Sequence, residues 1–101
     1  MQLARFLNNV FKKDGFILVD ANSKSYIIGN PKNENPIKLK ILNKNLHYKL
    51  LFHPDLYFGE AYTNGEIIIE NGNLTDFLDL ALMNFGRNEL NFFSYLINRL
   101  R

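Results

Sequence analysis

The 101-residue sequence contains no cysteine. That excludes a disulfide framework and any thiolate nucleophile or ligand, and it fits a reducing, cytoplasmic setting. Histidine is nearly absent as well, with only His47 and His53. Neither stands in an HxxxH or HExxH spacing, so the three or four converging ligands of a metal site are missing. Gly59, Gly65 and Gly72 lie too far apart for the G-x-G turn that cradles a nucleotide-like cofactor between a strand and a helix. No P-loop and no Ser/His/Asp arrangement is present. A formal charge of +2 is too small to point to nucleic acid, which calls for Lys and Arg clustered on one face. No apolar run approaches the roughly 20 residues of a membrane-spanning helix. Arg5, Lys12 and Lys13 interrupt the start of the chain, so it does not read as a secretory signal.

What remains is the composition of an ordinary globular domain, 47% hydrophobic and 22% charged, long enough for one modest core. Leu3, Phe6, Leu7, Val10 and Phe11 recur at helical spacing, with Arg5 and Lys12 opposite them and Gly15 as the expected stop. Phe16–Asp20 and Ser25–Gly29 are β-rich runs around the polar turn Ala21-Asn22-Ser23-Lys24, which predicts a hairpin. The two prolines and three asparagines of residues 30–36 predict a loop. Ile37–Leu42 alternates like a strand with one wet face. A short helix is expected over Leu46–Phe52, and Pro54 suits the first turn of another. Ile67-Ile68-Ile69 reads as a central strand covered on both sides.

Asn73 then caps a helix, with Asp76 at its positive end. Leu74, Phe77, Leu78, Ala81, Leu82 and Phe85 form its buried stripe, and Gly86 breaks it. A last helix from Asn88 runs to Arg101 in mid-stripe, without a terminating residue, as in a chain that continues. The sum is an α+β domain, a small, mostly antiparallel sheet of about four strands covered by amphipathic helices. Residues 1–86 form the domain, and 87–101 begin a helix or linker. The element order is similar to the sterol-carrier-protein fold, a likeness of fold only.

Catalysis needs converging groups, and the acids Asp55, Glu60, Glu66, Glu70, Asp76 and Asp79 offer no evident pair. Asp76 and Asp79 share the wet side of one helix. Asn73-Leu74-Thr75 matches a glycosylation sequon but reads better as a cap. Gly59 is harder to dismiss, because a glycine inside a helix costs about 1 kcal/mol against alanine. Either another backbone packs closely there or a ligand approaches. The first helix, with Arg5, Lys12 and Lys13 beside an apolar stripe, either lies on an anionic bilayer or covers the sheet.

Pro54-Asp55, Gly59-Glu60-Ala61-Tyr62, the turn at Gly65, the strand Glu66–Glu70 and the capped helix Asn73–Leu80 occur in a fixed order, led by Asn45–Leu51. This series resembles the N-terminal, non-catalytic domain of the cyclopropane-fatty-acyl-phospholipid synthases. The resemblance is loose before residue 37 and more specific from 45 to 80. Such enzymes transfer a methylene group from S-adenosylmethionine to an unsaturated acyl chain of a phospholipid. The resemblance implies that the cofactor and the acid/base residues belong to a separate C-terminal domain, so no catalytic, cofactor-binding or metal-binding residue is carried over to this chain. It implies a supporting role, inactive alone, at the inner face of the membrane. The expected partners are a phospholipid surface, the catalytic domain and a second copy of the chain, with no nucleic acid. Arg5, Lys12, Lys13, Gly59, Glu60 and Tyr62 are the candidates for lipid or interdomain contact. The alternatives are a stand-alone lipid-binding module of sterol-carrier type, which needs an internal apolar tunnel, and a protein-interaction or dimerisation domain.

Overall fold

The structure is a computed structural model and describes residues 1–84. Phe85, Gly86 and the helix expected from Asn88 lie outside the described residues. The chain runs α1 (Gln2–Val10), β1 (Gly15–Val19), β2 (Ser25–Gly29), β3 (Lys38–Ile41), α2 (Lys44–Phe52), α3 (Pro54–Thr63), β4 (Ile67–Glu70) and α4 (Leu74–Asn84). The strands form one sheet in the order β2-β1-β3-β4. Its outer pairs are antiparallel, and the central pair, β1 with β3, is parallel. This is the expected α+β architecture.

Strand alternation divides the sheet into two faces. Phe16 and Leu18 of β1, Ile28 of β2, Leu39 and Ile41 of β3 and Ile67 of β4 enter a single core. The helices meet them there through Leu3 and Ala4, Leu46 and Leu50, Phe58 and Ala61, and Phe77, Leu78, Leu80 and Ala81. Phe16 is the hub. Its ring packs edge-on against Phe11 at 5.0 Å and against Phe77 at 5.1 Å, and Phe77 stacks on Phe58 at 5.4 Å. Such pairs add about 0.5–1.5 kcal/mol each beyond the area they bury.

Two expectations need correction. Gly15 does not stop α1. The helix ends at Val10, Lys12 follows it rather than riding on it, and Gly15 opens β1 opposite Gly29. The chain turns from helix to strand at Asp14, whose φ is 61°. Glycine is needed at position 15 for space, because a Cβ there would run into the carbonyl oxygen of Ile28.

Nor is β4 a central strand. It lies at the sheet edge, with Ile67 and Ile69 towards the helices and Ile68 43% exposed on the other face. A run of three isoleucines reads as doubly covered, but only two of them are. The turn into α4 is made at Asn71, in the left-handed conformation with φ 60°.

The helix ends follow the local sequence. Asn73 and Asp76 cap α4 reciprocally. The Asn73 side-chain oxygen accepts from the Asp76 N–H at 2.9 Å, and the Asp76 carboxylate accepts from the Asn73 N–H at 3.0 Å. At the end of α3, Gly65 takes φ 76°. Its N–H donates to the Tyr62 carbonyl, and the Glu66 N–H donates to the Ala61 carbonyl. These are the two bonds of a Schellman cap, which turns the chain from α3 into β4.

Candidate functional site

The sequence candidates fall into two groups, one on α1 and its exit and the other on α3. The apolar stripe of α1 is used inside the fold, where Leu3 and Ala4 are buried and Phe6, Leu7 and Val10 pack against the core. Arg5 is exposed on the outer side of the helix. Lys12 and Lys13 are also exposed, but their backbone is fixed by α4. The Asn84 side-chain oxygen accepts from both N–H groups, at 2.8 and 2.7 Å. The stripe therefore covers the sheet.

On α3, Gly59 is buried between Phe58, which enters the core, and the exposed Glu60. Its carbonyl accepts a second hydrogen bond from the Thr63 hydroxyl at 2.9 Å. Tyr62 is half-buried, and its carbonyl belongs to the Schellman cap. The Gly-Glu-Ala-Tyr stretch thus has an inner side, Gly59 and Ala61, and an outer side led by Glu60. The hydrogen bonds of Lys12 and Lys13 lead to α4, and those of Gly59 and Tyr62 stay within α3 and its cap.

The densest polar cluster escaped the sequence reading. Asp20 is buried at the end of β1 and binds the hairpin turn. Its carboxylate accepts from the N–H groups of Asn22 and Lys24, both at 2.9 Å, and from the Tyr26 hydroxyl at 3.2 Å. Burial raises its pKa, but these bonds, led by Lys24, and the nearby His47 together hold it below the usual carboxylate value. His47 on α2 reaches the same turn, its Nε2 accepting from the Ala21 N–H at 3.3 Å. Burial pushes the His47 pKa down; the Asp20 charge pulls it up, and Lys44 pushes it down further. An imidazole that accepts at Nε2 is neutral, with its proton on Nδ1. Both groups are occupied by the turn, which makes the cluster a clip between α2 and the hairpin. The acid followed by Ala-Asn-Ser-Lys was the available signal, since Asp bonds its own turn in this way. Nothing local in the sequence announced His47.

A pocket of about 40 Å³ reaches into the core, lined among others by Leu3, Phe11, Phe16, Leu18, Phe58 and Phe77. For comparison, an engineered apolar cavity of ~150 Å³ holds one benzene. The space present is far short of an acyl chain, so a lipid carrier would have to part its helices from the sheet. Among the described residues no group of His, Cys, Asp and Glu could hold a metal ion, and no helix is long and apolar enough to cross a membrane.

Fold and candidate residues together define a two-layer α+β domain whose described helices lie on one face of a four-stranded sheet. Compared with known families and with curated proteins, the chain matches none.

Proposed function

We propose that the chain is the non-catalytic N-terminal domain of an enzyme similar to the cyclopropane-fatty-acyl-phospholipid synthases. In this reading it supports a separate methyltransferase domain at a phospholipid surface, and it works at the inner face of the cytoplasmic membrane. The support is the ordered series from Asn45 to Leu80. Its members are consecutive structural pieces, namely a helix begun by Pro54, a buried glycine, a glycine-capped exit, an edge strand and a capped helix. Glu60, on the outer side of α3, is the residue offered to the catalytic domain.

Reconstitution tests the proposal. A cyclopropane synthase stripped of its N-terminal domain is assayed on unsaturated phospholipid vesicles, with and without this chain. Restored methylene transfer, weakened by Glu60→Lys, is the expected result. A catalytic domain that neither binds the chain nor gains activity from it would sink the idea.

A further inference from the structure

α2 is apolar on both of its faces. Leu46 and Leu50 enter the core, while on the outer face Tyr48 is 64% and Phe52 70% exposed. These two lie one helical turn apart and so are surface neighbours. Leu56, a further four residues on, is 60% exposed, but it belongs to α3, which carries the acids Asp55 and Glu60. Large apolar side chains grouped on a surface mark a site of contact.

Along α2 the charge has one sign. Lys44 and Lys49 are exposed on the same helix, and the Lys49 ammonium lies 5.3 Å from the centre of the Tyr57 ring. α2 itself holds two lysines, one histidine and no acid. α1, packed beside α2, contributes Arg5 and no acid. The nearby Asp20 is buried and bound to its turn.

The other face of the sheet is a contrast. Its exposed Ile27 and Ile68 lie beside a paired charge, Lys40 with Glu70 at 3.1 Å. Aromatic side chains among lysines, without acids, match the headgroup layer of an anionic membrane, where the ring sits at the interface and the ammonium meets phosphate.

We propose that the corner formed by Tyr48 and Phe52 on α2 is the part of the domain that enters the interfacial layer of an anionic phospholipid bilayer, with Lys44, Lys49 and Arg5 on the lipid phosphates. This rests on the reading of the chain as a lipid-associated domain and moves the point of insertion from α1 to α2.

The chain has no tryptophan, so Phe52→Trp supplies a single reporter at an exposed position. With vesicles containing phosphatidylglycerol its emission moves to shorter wavelength and is quenched by brominated acyl chains. Added salt reverses both effects, and pure phosphatidylcholine produces neither. Ile27→Trp, on the opposite sheet face, stays unchanged. The double variant Tyr48→Ser, Phe52→Ser lowers the vesicle partition coefficient by about tenfold or more. If the unaltered chain binds vesicles while the double variant binds equally well, or if the reporter at position 27 responds and that at 52 does not, the corner is wrong and the lipid-associated reading survives. Equal partition into neutral vesicles overturns the anionic assignment. No binding of the unaltered chain to any vesicle overturns both.

Discussion

The side chain of Asn84 pairs with the backbone of Lys13 as a neighbouring strand would. Its oxygen accepts the Lys13 N–H at 2.7 Å, and its amide nitrogen donates to the Lys13 carbonyl at 2.9 Å. One side chain on α4 thereby fixes the exit of α1. Asn84→Asp keeps the shape and loses the donor, and Asn84→Ala loses these bonds together with the one from the Lys12 N–H. Each is expected to destabilise the fold by about 1–2 kcal/mol, with Lys13→Gln near neutral because its backbone makes the contact. Urea melts of the three variants check this.

Gly59 is buried in α3, next to the Phe58 ring that stacks on Phe77. Gly59→Leu should destabilise by roughly 1–3 kcal/mol through overpacking, while Asp79→Ala on the exposed side of α4 should change little. An unmoved urea midpoint for Gly59→Leu would show that this stretch of α3 has room to spare.

The two kinds of glycine should behave differently. Gly15→Ala forces a Cβ against the Ile28 carbonyl, so β1 and β2 must separate at that end, and a loss of more than about 2 kcal/mol is expected. At Gly65 no atom lies within 4 Å of an added Cβ, and only the positive φ resists. Gly65→Ala should then cost on the order of 1 kcal/mol, and Gly65→Asn less. Thermal melts of the three proteins give the order.

The clip between α2 and the hairpin predicts a pH dependence. The folded state holds His47 below its ordinary value of 6.5, so the unfolded chain binds its proton more readily. The stabilisation is whole above 6.5 and is lost as the pH falls through that value and below it. Asp20, also held below its ordinary value, adds a second loss at lower pH, beneath about 3.8. Melting temperatures between neutral and mildly acid pH should therefore fall on acidification. His47→Gln should flatten the upper part of the curve and leave the Asp20 part in place. A curve identical for both proteins would mean that His47 is not linked to folding.

Calorimetric titration with S-adenosylmethionine should show no heat of binding to the chain alone, since the widely spaced Gly59, Gly65 and Gly72 form no cofactor loop. Binding in the micromolar range would refute the assignment of a supporting domain.

Elements whose signal lies within a few residues were legible in the sequence. The stripe of α1, the hairpin, Pro54 at the start of α3, the Asn73 cap and the Asn64-Gly65 exit depend on neighbours along the chain. What required tertiary information was missed. Periodicity cannot say that Ile68 faces away from the helices, because three consecutive isoleucines fit an edge strand as well as a central one. Gly15 read as a helix stop, whereas its reason is the approach of Ile28, 13 residues away. The outer face of α2 was passed over because Tyr48 and Phe52 fit a buried helix equally well until Leu46 and Leu50 are seen to take the inner side. Among the candidate residues, the exposure of Arg5, Lys12 and Lys13 was readable from their charge, and the burial of Gly59 from the cost of a glycine inside a helix.

The chain of rings from Phe11 through Phe16 and Phe77 to Phe58 has a kinetic consequence. Its members come from the exit of α1, from β1, α4 and α3, so the first strand lacks its central partner until the last described helix has docked. The sheet and α4 should therefore open together. In native-state hydrogen exchange, the amides of Leu18 in β1 and Leu78 in α4 should share one opening free energy, equal to that of global unfolding. The amide of Arg5, in the first turn of α1 and bonded to the Met1 carbonyl at 3.2 Å, should exchange through a smaller opening.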